Sequence, residues 1–203
     1  MERYGIMGGT FNPIHLAHLY IAYEAKEQLN LDTIIFMPAG NPPHKKNNSI
    51  IDSSFRLDMV KLAIEDYEDF IVSSYEIEKK GLSFTYETLK ALKKDDVELY
   101  FIAGGDSLMD IEKWKNPEQI LTDCKFVVFN RGQFSMEELD KQKIKLEKKY
   151  NAKIILLNIA NIDISASMIR RRLEEGKRVD FFLPNKVLKY IVDNRLYEGD
   201  LND

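Results

Sequence analysis

The sequence predicts an α/β chain built on a doubly wound parallel sheet, on three observations. Short apolar runs without polar alternation recur along the chain, the pattern of strands covered on both faces. Segments with helical spacing separate them. The distinctive loops follow the ends of these runs, which is where such sheets bind ligands. A chain of 203 residues can enclose a real hydrophobic core as one domain. One domain over residues 1–203 is therefore expected, with a helical C-terminal portion from about 165 to 203.

The elements follow in order. Tyr4 to Met7 is the first strand and ends in Gly8-Gly9; from Leu16 a helix follows, with Leu16, Leu19, Tyr20 and Tyr23 at helical spacing. Thr33 to Met37 is a second strand, rich in β-branched residues and closed by Pro38, before a polar, proline-rich loop from Ala39 to about Ile51. The stretch SSFRLDMVKLAIEDY has a serine cap signal at Ser53 and apolar positions at Leu57, Val60, Leu62 and Ile64, which predicts a helix. Phe70 to Ser73 is the third strand. A helix over Tyr86 to Leu92, with Thr85 near its start, leads to the fourth strand, Leu99 to Ala103, which ends in Gly104-Gly105-Asp106. Phe126 to Phe129 and Ile154 to Leu157 complete the sheet. The run Lys141 to Lys149 reads as the solvated face of a helix, with a partner surface the weaker alternative.

Composition narrows the function classes. With 44% apolar and 31% charged residues, the chain is that of a folded globular protein and not a disordered one. A net charge of -4 and a pI near 5.5 give no global basic field, so long nucleic acid is not an expected partner, whereas a local pocket for a small phosphate ligand is. No stretch approaches the roughly 20 apolar residues of a membrane span, and MERYGIMGG lacks the apolar core of a signal peptide. A cytoplasmic protein with no membrane partner is expected. The single cysteine, Cys124, precedes an apolar run and reads as a buried packing thiol in a reducing compartment.

Two constellations carry chemistry. In GGTFNPIHLAHL, Gly8 and Gly9 let the backbone approach a phosphate, while the following helix start supplies N–H groups and the positive end of a dipole. His15 and His18 fall one turn apart on one helix face, so both imidazoles can reach one polyphosphate. In NIDISASMIRRRLEEG, Ser165 or Ser167 can cap a helix with Met168, Ile169 and Leu173 on its apolar face. Arg170 in its first turn completes a second phosphate grip, although the three consecutive arginines also suit a solvated basic face.

Other chemistries fall away. GxxxxGK[ST] does not occur and no glycines are spaced as GxG, which excludes a P-loop and an ordinary dinucleotide-binding turn. A zinc site lacks ligands, since His44 is the only further histidine and there is no cysteine pair. GGDSL at Gly104 to Leu108 looks like a hydrolase nucleophile block, yet all three histidines lie upstream of it, where no downstream base can come from.

GTFNPIHLAH resembles the HxGH signature of the nucleotidylyltransferase superfamily, and ISASMIR, Ile164 to Arg170, resembles its ISxTxxR signature. Within the superfamily the chain is similar to the bacterial nicotinate-nucleotide adenylyltransferases. The further marks are FMPAGNPPHKK, SFTYETL, FIAGGDSL, Trp114, FNRG and LPNKVLKYI, so the resemblance runs along almost the full chain. Departures are Asn12 where the family usually has Asp, Ala17 for Gly, and Ala166-Ser167 for Ser-Thr. Ala17 would add a methyl beside the phosphate site; Ser167 keeps a hydroxyl.

The resemblance implies a Rossmann-like nucleotidylyltransferase fold and transfer of AMP from ATP to nicotinate mononucleotide. His18 would stabilise the pentavalent phosphorus, His15 the ATP phosphates, and Arg170 with Ser167 the leaving pyrophosphate. Gly8, Gly9, Thr10, Phe11, Ser165 and Gly104 would add to the ATP side, with Asp106 at ribose hydroxyls or the metal-water shell and Arg131 near the adenylate. Trp114 would stack on the pyridine ring and Thr85 receive its carboxylate; core packing is the other reading of Trp114. His44 and Lys45 would close over the acceptor nucleotide, or belong to a surface loop that touches no ligand. Mg²⁺ would bridge phosphate oxygens without a protein ligand. A homo-oligomer is compatible with the sequence. The alternatives are a superfamily member acting on phosphopantetheine or an alcohol phosphate, and a non-catalytic nucleotide sensor.

Overall fold

The computed structural model describes residues 1–40, 50–79 and 81–197. Its strands are β1 (Glu2–Gly9), β2 (Thr33–Pro38), β3 (Phe70–Val72), β4 (Val97–Gly104), β5 (Lys125–Phe129) and β6 (Lys153–Leu156). They form one sheet in the order β3-β2-β1-β4-β5-β6, and every neighbouring pair is parallel. The chain winds outward from β1 to β3, crosses back to β4 beside β1, and winds outward again to β6. That reversal between β1 and β4 is the topological switch point of a doubly wound sheet.

The missing polar alternation has a direct cause. Successive strand residues point to opposite faces, and here both faces are core. Met7, Ile34, Phe36 and Ile102 enter one apolar cluster, whereas Ile6, Ile35, Met37 and Phe101 enter the other. The first cluster is covered by α1 (Leu16–Leu29), α2 (Ser53–Ile64), α8 (Ala166–Glu174) and α9 (Asn185–Asp193); the second by α4 (Thr85–Leu92), α5 (Gly105–Asp110), α6 (Pro117–Asp123) and α7 (Met136–Tyr150). The C-terminal helices contribute Ile169, Val187 and Ile191 to the first cluster. Among the described residues no helix is long and apolar enough to cross a membrane.

Several local expectations are corrected. The inward face of α1 is Ala17, Leu19, Ile21, Ala22 and Ala25, while Leu16 and Tyr23 are exposed. Small alanines let the helix lie close to the sheet, so the larger side chains turn outward. The cap of α2 is Asp52, whose carboxylate accepts from the Ser54 N–H at 2.8 Å, and not a serine. Its buried face is Arg56, Met59, Val60, Ala63 and Ile64, with Leu57 and Leu62 only half-buried. Three short helices, α3 (Tyr75–Glu78), α5 and α6, were not expected from periodicity. Each has only a turn or two, too little for a spacing pattern to register.

The lysine-rich helix α7 is closed by a reciprocal cap between Ser135 and Glu138. Its basic face is partly paired: Lys145 and Lys149 both reach Glu112, in the 3₁₀ turn Ile111–Lys113 just before Trp114. Cys124 is buried, its Sγ donates to the Ile120 carbonyl at 3.2 Å, and burial pushes its thiol up to about 12.

Candidate active site

The carboxyl ends of β1, β2 and β4 deliver Gly8-Gly9-Thr10, Ala39 and Gly104-Gly105-Asp106 to one cleft of about 530 Å³ at the switch point. Gly8, Gly9, Thr10, His18, Gly104, Asp106, Trp114 and Arg131 all line it. Two smaller pockets adjoin it through shared residues. One of about 260 Å³ shares Thr10, His18 and Arg131 and adds Phe11, His15, Ser165, Ser167 and Arg170. The other, of about 270 Å³, shares Lys113 and Trp114 and adds Ser83, Phe84 and Thr85. The resulting trough has a cationic, hydroxyl-rich end and an aromatic end. Thus the structure brings together every site residue expected from the sequence except His44 and Lys45, which lie outside the described residues.

The histidine pair is built by the start of α1. His15 is the N-cap, and its backbone N–H donates to His18 Nδ1 at 3.2 Å. The two rings stack with centroids 3.7 Å apart and planes 21° from parallel. An Nδ1 that accepts leaves the ring proton on Nε2, so the hydrogen bond fixes the tautomer of His18 as an Nε2–H donor. His15 is 1% exposed, and among the described residues its Nδ1 has no hydrogen-bond partner. Burial, with the Arg131 guanidinium nearby, pushes its pKa down to about 3. It is therefore neutral at working pH.

The folded state keeps His15 neutral down to about pH 3, whereas the unfolded chain protonates it below its ordinary 6.5. Between those values the unfolded state binds the extra proton, so stability falls as pH drops through the window. Urea midpoints at pH 7 and pH 5 should therefore fall more for the wild type than for His15→Asn; equal falls would contradict the assignment.

The glycine turn differs from the expected one. Thr10 to His15 separate it from α1, and the first N–H of the helix, that of Leu16, is taken by the Phe182 carbonyl at 3.0 Å. The His18 N–H bonds back to the His15 carbonyl at 2.9 Å. The grip consequently rests on two imidazoles and the Gly8–Thr10 backbone more than on a bare helix terminus. Phe11 has a left-handed φ of 47°, and its buried ring packs edge-on to His18 at 5.0 Å and against Phe36 at 6.0 Å. Its ring therefore buttresses His18, and any contact to phosphate falls to its backbone. Ala17, expected beside the phosphate site, is 1% exposed on the inward side of α1, so its methyl is covered.

At the second motif Ser165, one of the two serines expected to cap α8, is the cap: its hydroxyl accepts from the Met168 N–H at 3.3 Å and lies 3.2 Å from the Ser167 hydroxyl. Arg170 Nη1 donates to the Asn12 carbonyl at 2.7 Å, which ties the two grips together. The Asn12 side chain accepts from the Tyr197 hydroxyl at 2.9 Å and the Ile51 N–H at 3.4 Å. Arg171 is exposed, and Arg172 binds the Arg178 carbonyl and lies over Phe182, so only Arg170 of the three lines the pocket.

At the aromatic end, Trp114 is half-buried and meets Phe101 edge-on at 6.2 Å, so it both packs on the core and lines two pockets. Thr85 is the first residue of α4; the Glu87 and Thr88 N–H groups both bond to the Phe84 carbonyl, so of the first turn only the N–H groups of Thr85 and Tyr86 precede the helical bonding. Among the described residues no three His, Cys, Asp or Glu side chains cluster as a metal site. A divalent cation carried on nucleotide phosphates fits this donor set; exposed Asp106 and Asp110 both line the cleft, and Asp110 is paired with Lys113. Sequence reasoning missed Ala39, Phe101 and Lys113 as lining residues and the clasp by Arg56, Phe182 and Tyr197. Only Arg56 left a signal: Met59, Val60 and Ala63 follow it at three, four and seven residues, marking an arginine on an apolar face.

A doubly wound parallel sheet whose switch point gathers Gly8, Gly9, His15, His18, Ser165, Ser167 and Arg170 in adjoining pockets has the architecture of a nucleotide-binding transferase. A cytidylyltransferase-like family model matches residues 6–172. A Clostridium botulinum (strain Eklund 17B / Type B) protein named as a probable nicotinate-nucleotide adenylyltransferase is 57% identical over 98% of this chain and all of its own length. A Clostridium perfringens (strain 13 / Type A) protein of the same name is 50% identical, also over 98% of this chain and all of its own. The structure of Plasmodium falciparum nicotinic acid mononucleotide adenylyltransferase complexed with NaAD superposes with a TM-score of 0.78 at 22% identity, over 97% of this chain and 98% of that one, and so shares the fold. The chain belongs to the cytidylyltransferase-like family and, within it, to the nicotinate-nucleotide adenylyltransferases.

Proposed function

We propose that the chain transfers AMP from ATP to nicotinate mononucleotide, giving nicotinate adenine dinucleotide and pyrophosphate for NAD biosynthesis. The observation that carries this reading is the trough itself, which joins a polyphosphate grip to an aromatic pocket across the switch point. An oxygen of the mononucleotide phosphate attacks the α-phosphorus of ATP in line. One P–O bond forms, and the bond to the bridging oxygen breaks with its electron pair leaving on pyrophosphate. The attacking phosphate is already anionic, so no general base or covalent intermediate is needed, and the protein supplies position and charge.

His18 donates from Nε2 to the non-bridging oxygens of the pentavalent phosphorus. His15, neutral and buried, donates to the ATP phosphates, while Arg170 and Ser167 hold the departing pyrophosphate. Arg131, which touches both the cleft and the phosphate pocket, serves the adenylate. Magnesium on the triphosphate would offset the negative charge that builds on the leaving group. Asp106 meets its water shell or a ribose hydroxyl. Trp114 stacks on the pyridine, and the Thr85 hydroxyl with first-turn N–H groups receives its carboxylate. Such donors oppose the NH₂ of an amide, which favours nicotinate over nicotinamide. A cytoplasmic location fits the buried, protonated thiol of Cys124.

Trp114 is the only tryptophan in the chain, so fluorescence excited selectively over the 10 tyrosines reports on this one side chain, where the central cleft meets the proposed pyridine pocket. Saturable quenching by nicotinate mononucleotide, with none by phosphopantetheine, is expected; the reverse pattern would favour the other acceptor class. Trp114→Ala should raise KM for nicotinate mononucleotide about 10-fold or more, the scale of one lost stacking contact, with KM for ATP little changed. An unchanged acceptor KM would return Trp114 to core packing.

A further inference from the structure

Arg56 is 1% exposed and among the largest fully buried side chains of the chain, yet no ion pair reaches it from any described residue. A buried cation without a carboxylate is costly unless its donors are matched. Among the described residues its hydrogen-bond partners are carbonyls, with the Asp52 carboxylate acting on it only through space. Nη1 donates to Thr10 at 2.6 Å, Nη2 to Ala39 at 2.7 Å and Gly40 at 3.3 Å, and Nε to Ile51 at 3.2 Å.

Thr10 belongs to the segment that leaves β1, Ala39 and Gly40 to the one that leaves β2, and Ile51 to the entry of α2; Thr10 and Ala39 both line the central cleft. The connection continues on the acceptor side. A Cβ at Gly40 would lie 2.0 Å from the Glu76 carbonyl oxygen, so the backbones of Gly40 and α3 are in close contact. That same carbonyl accepts from the Ser83 hydroxyl at 3.4 Å, and the Glu76 carboxylate accepts from the Thr88 hydroxyl at 2.6 Å. Ser83 and Thr88 flank Thr85 in sequence. One guanidinium is thus bonded directly to the segment after the glycine turn and linked through Gly40, Glu76 and Ser83 to the pocket of Thr85 and Trp114.

We propose that Arg56 is a positioning residue that sets the spacing between bound ATP and the bound acceptor nucleotide. It touches neither. Its planar fork holds the segments after β1 and β2 at one separation, which a lysine, with a point charge, cannot do. The proposal rests on the two-substrate transfer described above. It predicts that alignment suffers when Arg56 is changed, while each nucleotide still binds.

The test compares Arg56→Met and Arg56→Lys with wild type, using Trp114 quenching for nicotinate mononucleotide, calorimetry for ATP and steady-state kinetics per folded molecule. A misalignment of about 1 Å costs roughly 10²-fold, so Arg56→Met should lose about that in kcat, and Arg56→Lys about 10-fold, with each nucleotide's affinity within about 3-fold of wild type. Should Arg56→Met fail to fold, Arg56→Lys carries the same split between kcat and binding. A kcat per folded molecule equal to wild type, or a loss confined to the KM of one substrate, would overturn the positioning role. Wild-type protein that binds both nucleotides and forms no product would overturn the transfer reading instead.

Discussion

Alanine in place of His18 should lower kcat roughly 10²-fold or more, the scale of losing one transition-state donor, with the KM values little changed. The size of the effect follows from how the imidazole is held. Its Nδ1 is occupied by the His15 N–H, one face stacks on the His15 ring, and Phe11 meets it edge-on. In the proposed transfer Nε2–H of this held imidazole is the donor to charge that develops on the α-phosphate oxygens. Ground-state binding depends on many other donors, so the loss belongs in kcat. His18 also accepts a hydrogen bond at the start of α1, so the unfolding midpoint of the variant must be followed alongside. A folded His18→Ala enzyme with turnover close to wild type would remove His18 from the chemistry.

Arginine 170 should matter as much or more. Arg170→Ala is expected to reduce kcat/KM for ATP roughly 10²- to 10³-fold, because a guanidinium at the leaving group meets charge that grows as the bond breaks. Among the described residues the Asn12 carbonyl accepts from one of its nitrogens, and in the proposed reaction the rest of its fork meets pyrophosphate. Asn12 keeps its bonds from Tyr197 and Ile51 when Arg170 is removed, so the loop remains held and the loss reports on the leaving group. Product inhibition offers an independent readout: pyrophosphate should inhibit the variant much more weakly than the wild type. Unchanged pyrophosphate inhibition would contradict the role, whatever happened to turnover. Arg170→Lys keeps the charge and loses the fork, and should fall between the two.

How much of this could be read from the chain depended on how local the causes were. The six strands were legible because each sends neighbouring residues into two different apolar clusters, as Ile34 and Ile35 do, leaving no polar positions to break the run. The two grips were legible because glycines, imidazoles, hydroxyls and Arg170 sit within short segments at strand or helix ends. Helix α1 misled, since large residues at helical spacing drew attention to Leu16 and Tyr23, although close packing on the sheet selects Ala22 and Ala25. The clasp around the phosphate turn was not legible. Phe182 takes an N–H at the start of α1 and Tyr197 takes Asn12, contacts between ends of the chain that no local pattern encodes. Arg56 lay between these cases, visible as a charge on an apolar helix face but mute about the carbonyls it would meet.

Pyrophosphate release should be measured first, with ATP and Mg²⁺ and either nicotinate or nicotinamide mononucleotide, and the dinucleotide identified by mass. Rapid, stoichiometric formation of pyrophosphate and nicotinate adenine dinucleotide is expected, with nicotinamide mononucleotide a much poorer acceptor. ATP binding without product from either mononucleotide would contradict the proposed transfer.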